Sequence, residues 1–214
     1  MSYFDLIIFD CDGVLVDSEV STNTVLRDML NERGGKVTLA ETMALFMGHS
    51  VADSVDRINE VIGRAPEATF YDEFLVRRDD ALRNSVLPIP YIVETLPKLL
   101  LPYAVASGAE TAKMYLTLGR TGMLKQFEGR MFGKDMVAKS KPSPDVYLLA
   151  AKTLGVAPAR CVVVEDTPSG TTAGVAAGMT VLGYCAQNAP EPLFAAGASA
   201  VFNDMRQLPV LLRP

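Results

Sequence analysis

The sequence predicts a doubly wound α/β fold on a parallel sheet, with an all-helical module inserted after the first strand. Short continuous apolar runs recur along the chain, as expected for strands that are buried on both faces of a parallel sheet. Segments of helical periodicity separate these runs, and alternating strands and helices favour a sheet with right-handed crossovers. One long stretch holds helical patterns without a comparable apolar run, which indicates the insertion.

The apolar runs predict the strands of the sheet in chain order. They lie at residues 6–9, 103–106, 161–164 and 180–183, with a weaker run at residues 199–202. Helical patterns that follow or precede these strands lie at residues 109–118, 144–154 and 169–177. This succession is typical of βαβ units in a parallel sheet.

The helical insertion follows the first strand directly. Its helical patterns lie at residues 20–30, 51–62 and 70–82. A segment with two prolines then leads back to the sheet, as expected for a linker. We therefore expect two domains, namely an α/β core of residues 1–16 and 86–214 and a helical domain of residues 17–85.

Composition and charge narrow the classes of partner. Lys and Arg total 20 against 25 Asp and Glu among 214 residues, which gives a formal net charge of −5. Neither nucleic acid nor an anionic membrane surface is therefore an expected partner, and no apolar run approaches membrane-spanning length. The three cysteines are widely spaced, which fits a reducing cytoplasm better than a disulfide framework or a zinc site. We expect a cytoplasmic protein, and the sequence leaves its oligomeric state open.

Two acidic residues follow the first strand, in the segment Asp10-Cys11-Asp12-Gly13. Residues two apart on an extended segment point to the same side, so both carboxylates are expected at the carboxyl end of the strand. Ligands bind at that end in open α/β sheets, and Gly13 allows the chain to turn just beyond it. Two neighbouring carboxylates repel each other, which indicates a neutralising cation or a shared proton. The alternative at this point is an acidic turn without a catalytic role.

A second acidic pair, Glu165-Asp166, ends the strand predicted at residues 161–164. Together with Asp10 and Asp12 it would form a hard, oxygen-rich site at the ends of two strands. Magnesium suits such a site because it accepts a few carboxylates and keeps water and phosphate oxygens in its shell. We therefore predict Mg²⁺ as the cofactor. The alternative is that Glu165 and Asp166 cap the helix that follows.

Ser107, Gly108 and Ala109 lie where one strand ends and a helix begins. The Ser107 hydroxyl and the two following N–H groups form a candidate phosphate cradle at the positive end of that helix. An ordinary serine N-cap is the alternative. The cradle therefore depends on the other motifs for its support.

Lys141 stands in the segment Lys141-Pro-Ser-Pro-Asp145, before a predicted helix. The prolines stiffen this approach and would hold the lysine in a fixed direction. Aimed at the acidic cluster, Lys141 would neutralise Asp10 and hold phosphoryl oxygens. Lys134 and Lys139 are competing candidates that the spacing does not exclude.

In this order, the segments FDCDGVLVDSE, VASGA, KPSPDVY and VVVEDTPSG resemble the four motifs of the haloacid dehalogenase-like hydrolases. The resemblance covers nearly the whole chain. It is strongest to the subgroup with a helical cap after the first motif, which includes sugar-phosphate phosphatases and β-phosphoglucomutase. The resemblance implies a Rossmann-like core and a magnesium-dependent phosphatase whose partner is a small phosphorylated metabolite, such as a sugar or polyol phosphate.

The resemblance also implies roles for individual residues. Asp10 would be the nucleophile that forms an aspartyl-phosphate. Asp12 would protonate the leaving alkoxide, activate water, and bind magnesium through its backbone carbonyl. The other implied roles are orientation of the phosphoryl group and metal binding, for Ser107 with Lys141 and for Glu165 with Asp166, respectively.

Members of this family also catalyse other reactions, and the sequence makes two of them less expected. Asp12 disfavours dehalogenation, because a departing halide needs no proton. A β-phosphoglucomutase carries a histidine and an arginine in its cap, where this chain has Thr22 and the loop of residues 46–50, so hydrolysis is favoured over mutase chemistry. His49 in that loop is a candidate substrate contact. The second alternative is a non-catalytic phosphate-binding module, which the long insertion and Asp12 oppose.

Overall fold

A computed structural model describes residues 3–46, 51–186 and 189–212. The chain forms two compact units. One contains the residues up to Asp17 together with those from Leu87 onward, and the other is Ser18–Val86. Among the described residues, none of the helices is both long and apolar enough to cross a membrane.

The first unit is built on a six-stranded parallel sheet and a short two-stranded antiparallel pair. In chain order the strands are β1 (Leu6–Phe9), β2 (Val16–Asp17), β3 (Leu87–Pro88), β4 (Tyr103–Ala106), β5 (Met131–Phe132), β6 (Cys161–Glu165), β7 (Thr180–Tyr184) and β8 (Ala200–Phe202). The sheet has the order β5-β4-β1-β6-β7-β8, and β2 pairs with β3. This confirms the predicted α/β class with a parallel sheet.

Helices lie between the strands of the first unit and make up the second unit. The helices of the second unit are α1 (Glu19–Glu32), α2 (Leu39–Phe46), α3 (Val55–Ile62) and α4 (Phe70–Ser85). Those of the first unit are α5 (Ile92–Thr95), α6 (Thr111–Arg120), α7 (Leu124–Phe127), α8 (Asp145–Thr153), α9 (Pro168–Ala176), α10 (Glu191–Ala195) and α11 (Leu208–Leu211).

The order of the strands indicates at which edge of the sheet a ligand would bind. From central β1 the chain proceeds to β4 and β5 on one side, and it later fills the other side with β6, β7 and β8. The order therefore reverses at β1, and the crevice at the carboxyl end of such a switch point is where ligands bind in open α/β sheets. The acidic segments that follow β1 and β6 leave the sheet at this crevice.

Burial explains why these runs form the sheet. All four residues of β1 and all five of β6 are buried, which matches strands covered by helices on both faces. Helices α8 and α9 supply part of that cover, with small side chains that allow close approach. At Gly174 of α9, an added Cβ would lie 2.7 Å from the Val181 side chain, so glycine is needed where α9 packs on β7.

The helical unit has an apolar core of its own. The side chains of Leu26, Met29, Leu30, Phe46, Ile58, Ile62, Phe70 and Phe74 form one buried cluster. Helix α1 packs against α2, α3 and α4, and brings these residues together. Met29, Phe46, Phe70 and Phe74 therefore belong to the core of this unit, as their helical spacing indicates.

Candidate active site

The first acidic pair lies at the carboxyl end of β1. The backbone N–H of Asp10 donates to Val164 O at 2.9 Å, which extends the pairing of β1 with β6 beyond Phe9. The chain then turns sharply, because the N–H of Gly13 donates to Val16 O at 2.8 Å and Gly13 has a φ of 80°. Asp10 is buried and Asp12 is half-buried. Both acids therefore stand at the switch point of the sheet.

Lys141 joins the acids of the two strand ends. Its Nζ donates to Asp10 Oδ1 at 2.5 Å and to Glu165 Oε1 at 2.7 Å, and only 7% of its side chain is exposed. Burial alone would lower the pKa of Lys141, but the two carboxylates outweigh it and hold the pKa well above its usual value. The ammonium group therefore stays charged between the Asp10 and Glu165 carboxylates.

Glu165 is fully occupied by hydrogen bonds inside the protein. Its Oε1 accepts from Lys141 and from the Tyr147 hydroxyl at 3.0 Å, and its Oε2 accepts from the Thr167 N–H and hydroxyl, both at 2.9 Å. A carboxylate has about four lone-pair positions. Burial raises the pKa of Glu165, but Lys141 and Thr167 lower it by more than burial raises it. The pKa of Glu165 is therefore below its usual value. These contacts occupy the lone-pair positions of Glu165 with groups of the protein.

Asp166 has the opposite character. Its Oδ1 is buried and has no hydrogen-bond partner within the described part of the chain. A Cβ added at Gly13 would overlap Asp166 Oδ2, so this carboxylate lies against the turn that follows Asp10. Burial, followed by the negative charges of Glu165 and Asp10, raises the pKa of Asp166 well above its usual value. A buried carboxylate oxygen that lacks a partner is costly, and a bound cation would satisfy it.

The acidic cluster as a whole is short of positive charge. The ammonium group of Lys141 contacts Asp10 and Glu165, and that of Lys113 contacts Asp12, whereas Asp166 Oδ1 has no hydrogen-bond partner among the described residues. Burial is the main reason that the pKa of Asp10 is raised to about 7, despite the adjacent Lys141. A divalent cation would match the missing charge and keep these acids ionised near neutral pH.

The number of available ligands also fits magnesium. Among residues 3–46, 51–186 and 189–212, no three His, Cys, Asp or Glu side chains are grouped as a metal site of their own. Because the oxygens of Glu165 are occupied by hydrogen bonds, Asp10 and Asp166 are the candidate carboxylates for a cation. Mg²⁺ is usually held by one or two carboxylates, with water, backbone and substrate phosphate oxygens completing its shell. The residues present fit this ion without Glu165.

The segment Ser107-Gly108-Ala109 ends β4 beside Lys141. A Cβ added at Gly108 would lie 3.9 Å from Lys141 Cδ, and Ser107 is buried. The Ser107 hydroxyl accepts a hydrogen bond from the Ala109 N–H at 3.0 Å. The residue that caps α6 is Glu110, so Ser107 is not an ordinary N-cap. The structure thus brings Ser107 and Gly108 to the lysine, whereas the Ala109 N–H is directed to the Ser107 hydroxyl instead of toward a ligand.

Three side chains that the sequence reasoning overlooked complete the site. Lys113 Nζ donates to Asp12 Oδ1 at 2.8 Å. Tyr147 places its ring 4.6 Å from Lys141 Nζ in addition to binding Glu165, and Thr167 holds the other oxygen of Glu165. The sequence places Lys113 one helical turn before Thr117 on α6, but it does not identify Asp12 as the partner of Lys113. His49, the predicted substrate contact, lies outside the described residues.

The role of Asp166 can be tested with two matched glycine variants, Gly13→Ala and Gly122→Ala. Gly13→Ala is expected to cost about 1–2 kcal/mol of unfolding free energy for its left-handed backbone, and also to displace the Asp166 carboxylate. Gly122→Ala carries a similar φ of 76°, but none of the described atoms lies within 4 Å of its added Cβ. Both variants should therefore show the backbone cost in urea unfolding, while only Gly13→Ala should lose stabilisation by added Mg²⁺. Equal stabilisation of the two variants by Mg²⁺ would contradict the role given to Asp166.

The chain is similar to a known family and to individual phosphatases. The family described as haloacid dehalogenase-like hydrolase matches residues 7–184. The chain is 28% identical to the 6-phosphogluconate phosphatase of Escherichia coli (strain K12), over 99% of this chain and 96% of that protein. It is 31% identical to the fructose-1-phosphate phosphatase YqaB of the same organism, over 81% of this chain and 92% of that protein.

A solved structure shows the same architecture. A HAD family hydrolase from Deinococcus radiodurans R1, crystallised with bound phosphate and sodium, superimposes with a TM-score of 0.85 at 31% sequence identity. The similarity covers 99% of this chain and 96% of that one. The similarity therefore extends over both units of the chain.

An acidic cluster at the switch point of a parallel sheet, with a helical insertion after β1, is the arrangement of a hydrolase of this kind. Because the family match spans well over half of its length, the chain belongs to the haloacid dehalogenase-like hydrolase family. It is an enzyme of the phosphoric monoester hydrolase class, in which its curated relatives are named.

Proposed function

We propose that this enzyme hydrolyses the phosphate monoester of a small sugar or polyol through an aspartyl-phosphate on Asp10, with Mg²⁺ as cofactor. The observation that carries the proposal is the setting of Asp10. It is buried at the end of β1, bound by the Lys141 ammonium group, and close to the Asp166 carboxylate. This setting offers a nucleophile together with the charges that an anionic substrate requires.

The residues divide the reaction into two displacements at phosphorus. Asp10 attacks the phosphoryl group, the bond to the leaving oxygen breaks, and Asp12 gives that oxygen a proton. A water molecule then attacks the aspartyl-phosphate, Asp12 takes a proton from it, and phosphate leaves with Asp10 restored. Lys141 holds phosphoryl oxygens in both steps, and Ser107 and Gly108 are placed beside it. Bound magnesium, held by Asp10, Asp166 and the Asp12 carbonyl, would offset the repulsion between the nucleophile and the phosphoryl oxygens.

In this proposal Glu165 supports Lys141 instead of binding metal. Its four hydrogen bonds fix it beneath the lysine, and the Tyr147 ring covers the same ammonium group. A long lysine side chain that is held by three groups loses little additional freedom when substrate binds. Glu165 and Tyr147 are thus positioning residues for the phosphoryl-binding lysine.

The relatives support a carbohydrate substrate. The two E. coli proteins described above are named for 6-phosphogluconate and fructose 1-phosphate, both monoesters of small hydroxylated molecules. The Deinococcus structure contains phosphate, which agrees with a phosphoryl-binding site in this fold. We assign the helical unit, Ser18–Val86, the role of the cap domain that was predicted for residues 17–85, with His49 as a candidate substrate contact. The free cysteines Cys11, Cys161 and Cys185 agree with the proposed location in a reducing cytoplasm.

A phosphate-release panel tests the proposed function. The purified chain is incubated with 6-phosphogluconate, fructose 1-phosphate, sorbitol 6-phosphate, AMP and p-nitrophenyl phosphate, in Mg²⁺ or in EDTA. We expect Mg²⁺-dependent phosphate release that is fastest with a sugar or polyol ester. Conversion of β-glucose 1-phosphate to glucose 6-phosphate without free phosphate would instead establish a mutase. Binding of phosphate without turnover of any ester would establish a non-catalytic module.

The raised pKa of Asp10 predicts how stability depends on pH in EDTA. Because its pKa is about 7 in the folded protein and near 3.8 when unfolded, the folded state binds more protons between these values, and the unfolding free energy falls as pH rises through them. Asp166 acts in the same direction. Glu165 acts in the opposite direction, but only at pH values around and below its unfolded pKa of 4.5, because its pKa in the folded protein is lowered.

We therefore expect the melting temperature in EDTA to fall by at least about 3 °C from pH 5 to pH 7.5. Asp10→Asn removes one of the titrating groups and should flatten this slope, while added Mg²⁺ should raise the melting temperature more at pH 7.5 than at pH 5. A melting temperature that rises over this range, with or without Asp10, would contradict the electrostatics described here. Differential scanning fluorimetry in matched buffers is sufficient for the measurement.

A further inference from the structure

The Lys113 ammonium group contacts Asp12, the second acidic residue of the turn that follows β1. Its Nζ lies 2.8 Å from Asp12 Oδ1, and the exposed fractions of the two side chains are 15% and 25%. Lysine is seldom this buried unless it is paired. A charge-assisted hydrogen bond in such a setting restricts its acceptor more firmly than an exposed ion pair does. The contact therefore sets the direction of the Asp12 carboxyl group.

Helix α6 contacts the turn after β1 at two points. Lys113 and Thr117 are one helical turn apart and share a face of the helix. Thr117 is fully buried; its hydroxyl donates to Lys113 O at 3.1 Å and lies 3.9 Å from Cys11 Sγ. Since Cys11 and Asp12 are adjacent, the same face of α6 meets both. The helix thus provides a rigid base for the lysine that holds Asp12.

The two lysines of the site have separate acceptors. Lys141 binds Asp10 and Glu165, whereas Lys113 binds Asp12. In the proposed reaction Asp10 needs charge neutralisation, but Asp12 must deliver and collect protons. A proton-transferring group must come within about 2.6–3.2 Å of its partner atom. For Asp12 the direction of the carboxyl group is therefore decisive, and the hydrogen bond to Oδ1 fixes the plane in which Oδ2 lies.

We propose that Lys113 is a positioning residue that orients Asp12 for both proton transfers of the reaction. The inference rests on the proposed function, because it requires Asp12 to be the acid and base. A proton passes from Asp12 to the leaving oxygen as the ester P–O bond breaks and the bond from Asp10 to phosphorus forms. In the second step a proton of water passes to Asp12 as the aspartyl-phosphate bond breaks. Lys113 keeps its protons throughout.

The dependence on the leaving group distinguishes positioning from a structural role. 4-Nitrophenolate departs readily without a proton, whereas the alkoxide of benzyl phosphate needs one. We expect Lys113→Met to lower kcat/KM for benzyl phosphate by about 10–100-fold, and that for p-nitrophenyl phosphate by less than about threefold. The control is Lys125→Met, which removes an exposed lysine of α7 and should leave both values unchanged. An equal loss on the two esters would overturn the proposal.

A double-mutant cycle locates the effect at Asp12. Asp12→Asn alone should lower kcat/KM for benzyl phosphate by about 10²–10⁴-fold. If Lys113 acts through Asp12, adding Lys113→Met to Asp12→Asn should cause no further loss. A further loss as large as that of Lys113→Met alone would overturn the inference while leaving the proposed function intact. Full benzyl phosphate turnover by Asp12→Asn would instead remove Asp12 from its proposed role.

A second variant covers the outcome in which Lys113→Met does not fold. Lys113→Gln keeps a polar head on a stem half as long, and its folding is checked by its melting temperature beside that of Lys125→Met. The same selective loss on benzyl phosphate is expected, because an amide cannot replace the charged hydrogen bond to Asp12. A uniform loss in a folded Lys113→Gln would overturn the proposal as firmly as it would in the methionine variant.

Discussion

Asp10→Asn is expected to abolish phosphate release, with kcat lower by at least about 10⁴-fold. The amide is the same size as the carboxylate and can still accept a hydrogen bond from Lys141, but it cannot form the aspartyl-phosphate. Acid-quenched wild-type enzyme should carry one added phosphoryl group by intact mass after exposure to p-nitrophenyl phosphate. The Asp10→Asn variant should carry none.

The opposite end of β1 supplies a matched control. Asp5 is exposed and its carboxylate binds Arg160 at 2.7 Å, far along the strand from the proposed site. Asp5→Asn is the same chemical change on a residue that flanks the same strand, and it should leave turnover within about twofold of the wild type. Turnover by Asp10→Asn at a rate comparable to that of Asp5→Asn would exclude Asp10 as the nucleophile.

The elements of the fold could be predicted where the residues of one segment form an apolar or helical pattern by themselves. The predicted strands each correspond to an observed strand, because a strand buried on both faces must be apolar throughout. Strand β5 has only two residues, Met131 and Phe132, which is too short for any pattern to show. Helix α2 was overlooked although its start carries a capping box, in which Thr38 and Glu41 bind each other's backbone N–H groups.

The site was predictable to the extent that strand ends determine it. Asp10, Asp12 and Asp166 follow strands directly, so their convergence follows from the parallel sheet. The choice of lysine did not follow from spacing, since Lys134 lies 3.4 Å from Glu110 and only the folded chain shows Lys141 at the acids. Lys113 could be recognised only from the approach of α6 to the β1 turn, a tertiary contact over 101 positions of sequence.

The electrostatics of the cluster support the proposal that lysine side chains and a cation act together in the site. Burial raises the pKa of Asp10 to about 7 and that of Asp166 well above its usual value, so each acid resists the ionised form that the reaction requires. Lys141 counteracts this for Asp10 and Glu165. In the proposed reaction Asp10 would therefore be a strong nucleophile in a dry site, and its ionisation would depend on bound positive charge.

Lys141→Met should therefore be the most destabilising single substitution in the site. It would leave Asp10 and Glu165 buried without their shared counter-charge, and removing one partner of a buried ion pair costs about 3–5 kcal/mol. Loss of the ammonium group raises the pKa of both acids, further for Asp10 and from a lowered value for Glu165, so the deficit in unfolding free energy should grow as pH rises from 5 to 8. Urea unfolding at both pH values measures the deficit, and phosphate release should be lost at either pH.

Lys134→Met is the matched control for this prediction. Lys134 is a lysine of the same region, its side chain is 39% exposed, and its only described ion pair is with Glu110 at 3.4 Å. An exposed pair of this kind contributes about 0–1 kcal/mol, so Lys134→Met should unfold and react nearly as the wild type does. If Lys141→Met cost no more than Lys134→Met, the Asp10–Lys141–Glu165 contact would not be the electrostatic centre of the site. Because methionine fills nearly the same space as the lysine stem, a large difference between the two variants would report the lost charge and not a cavity.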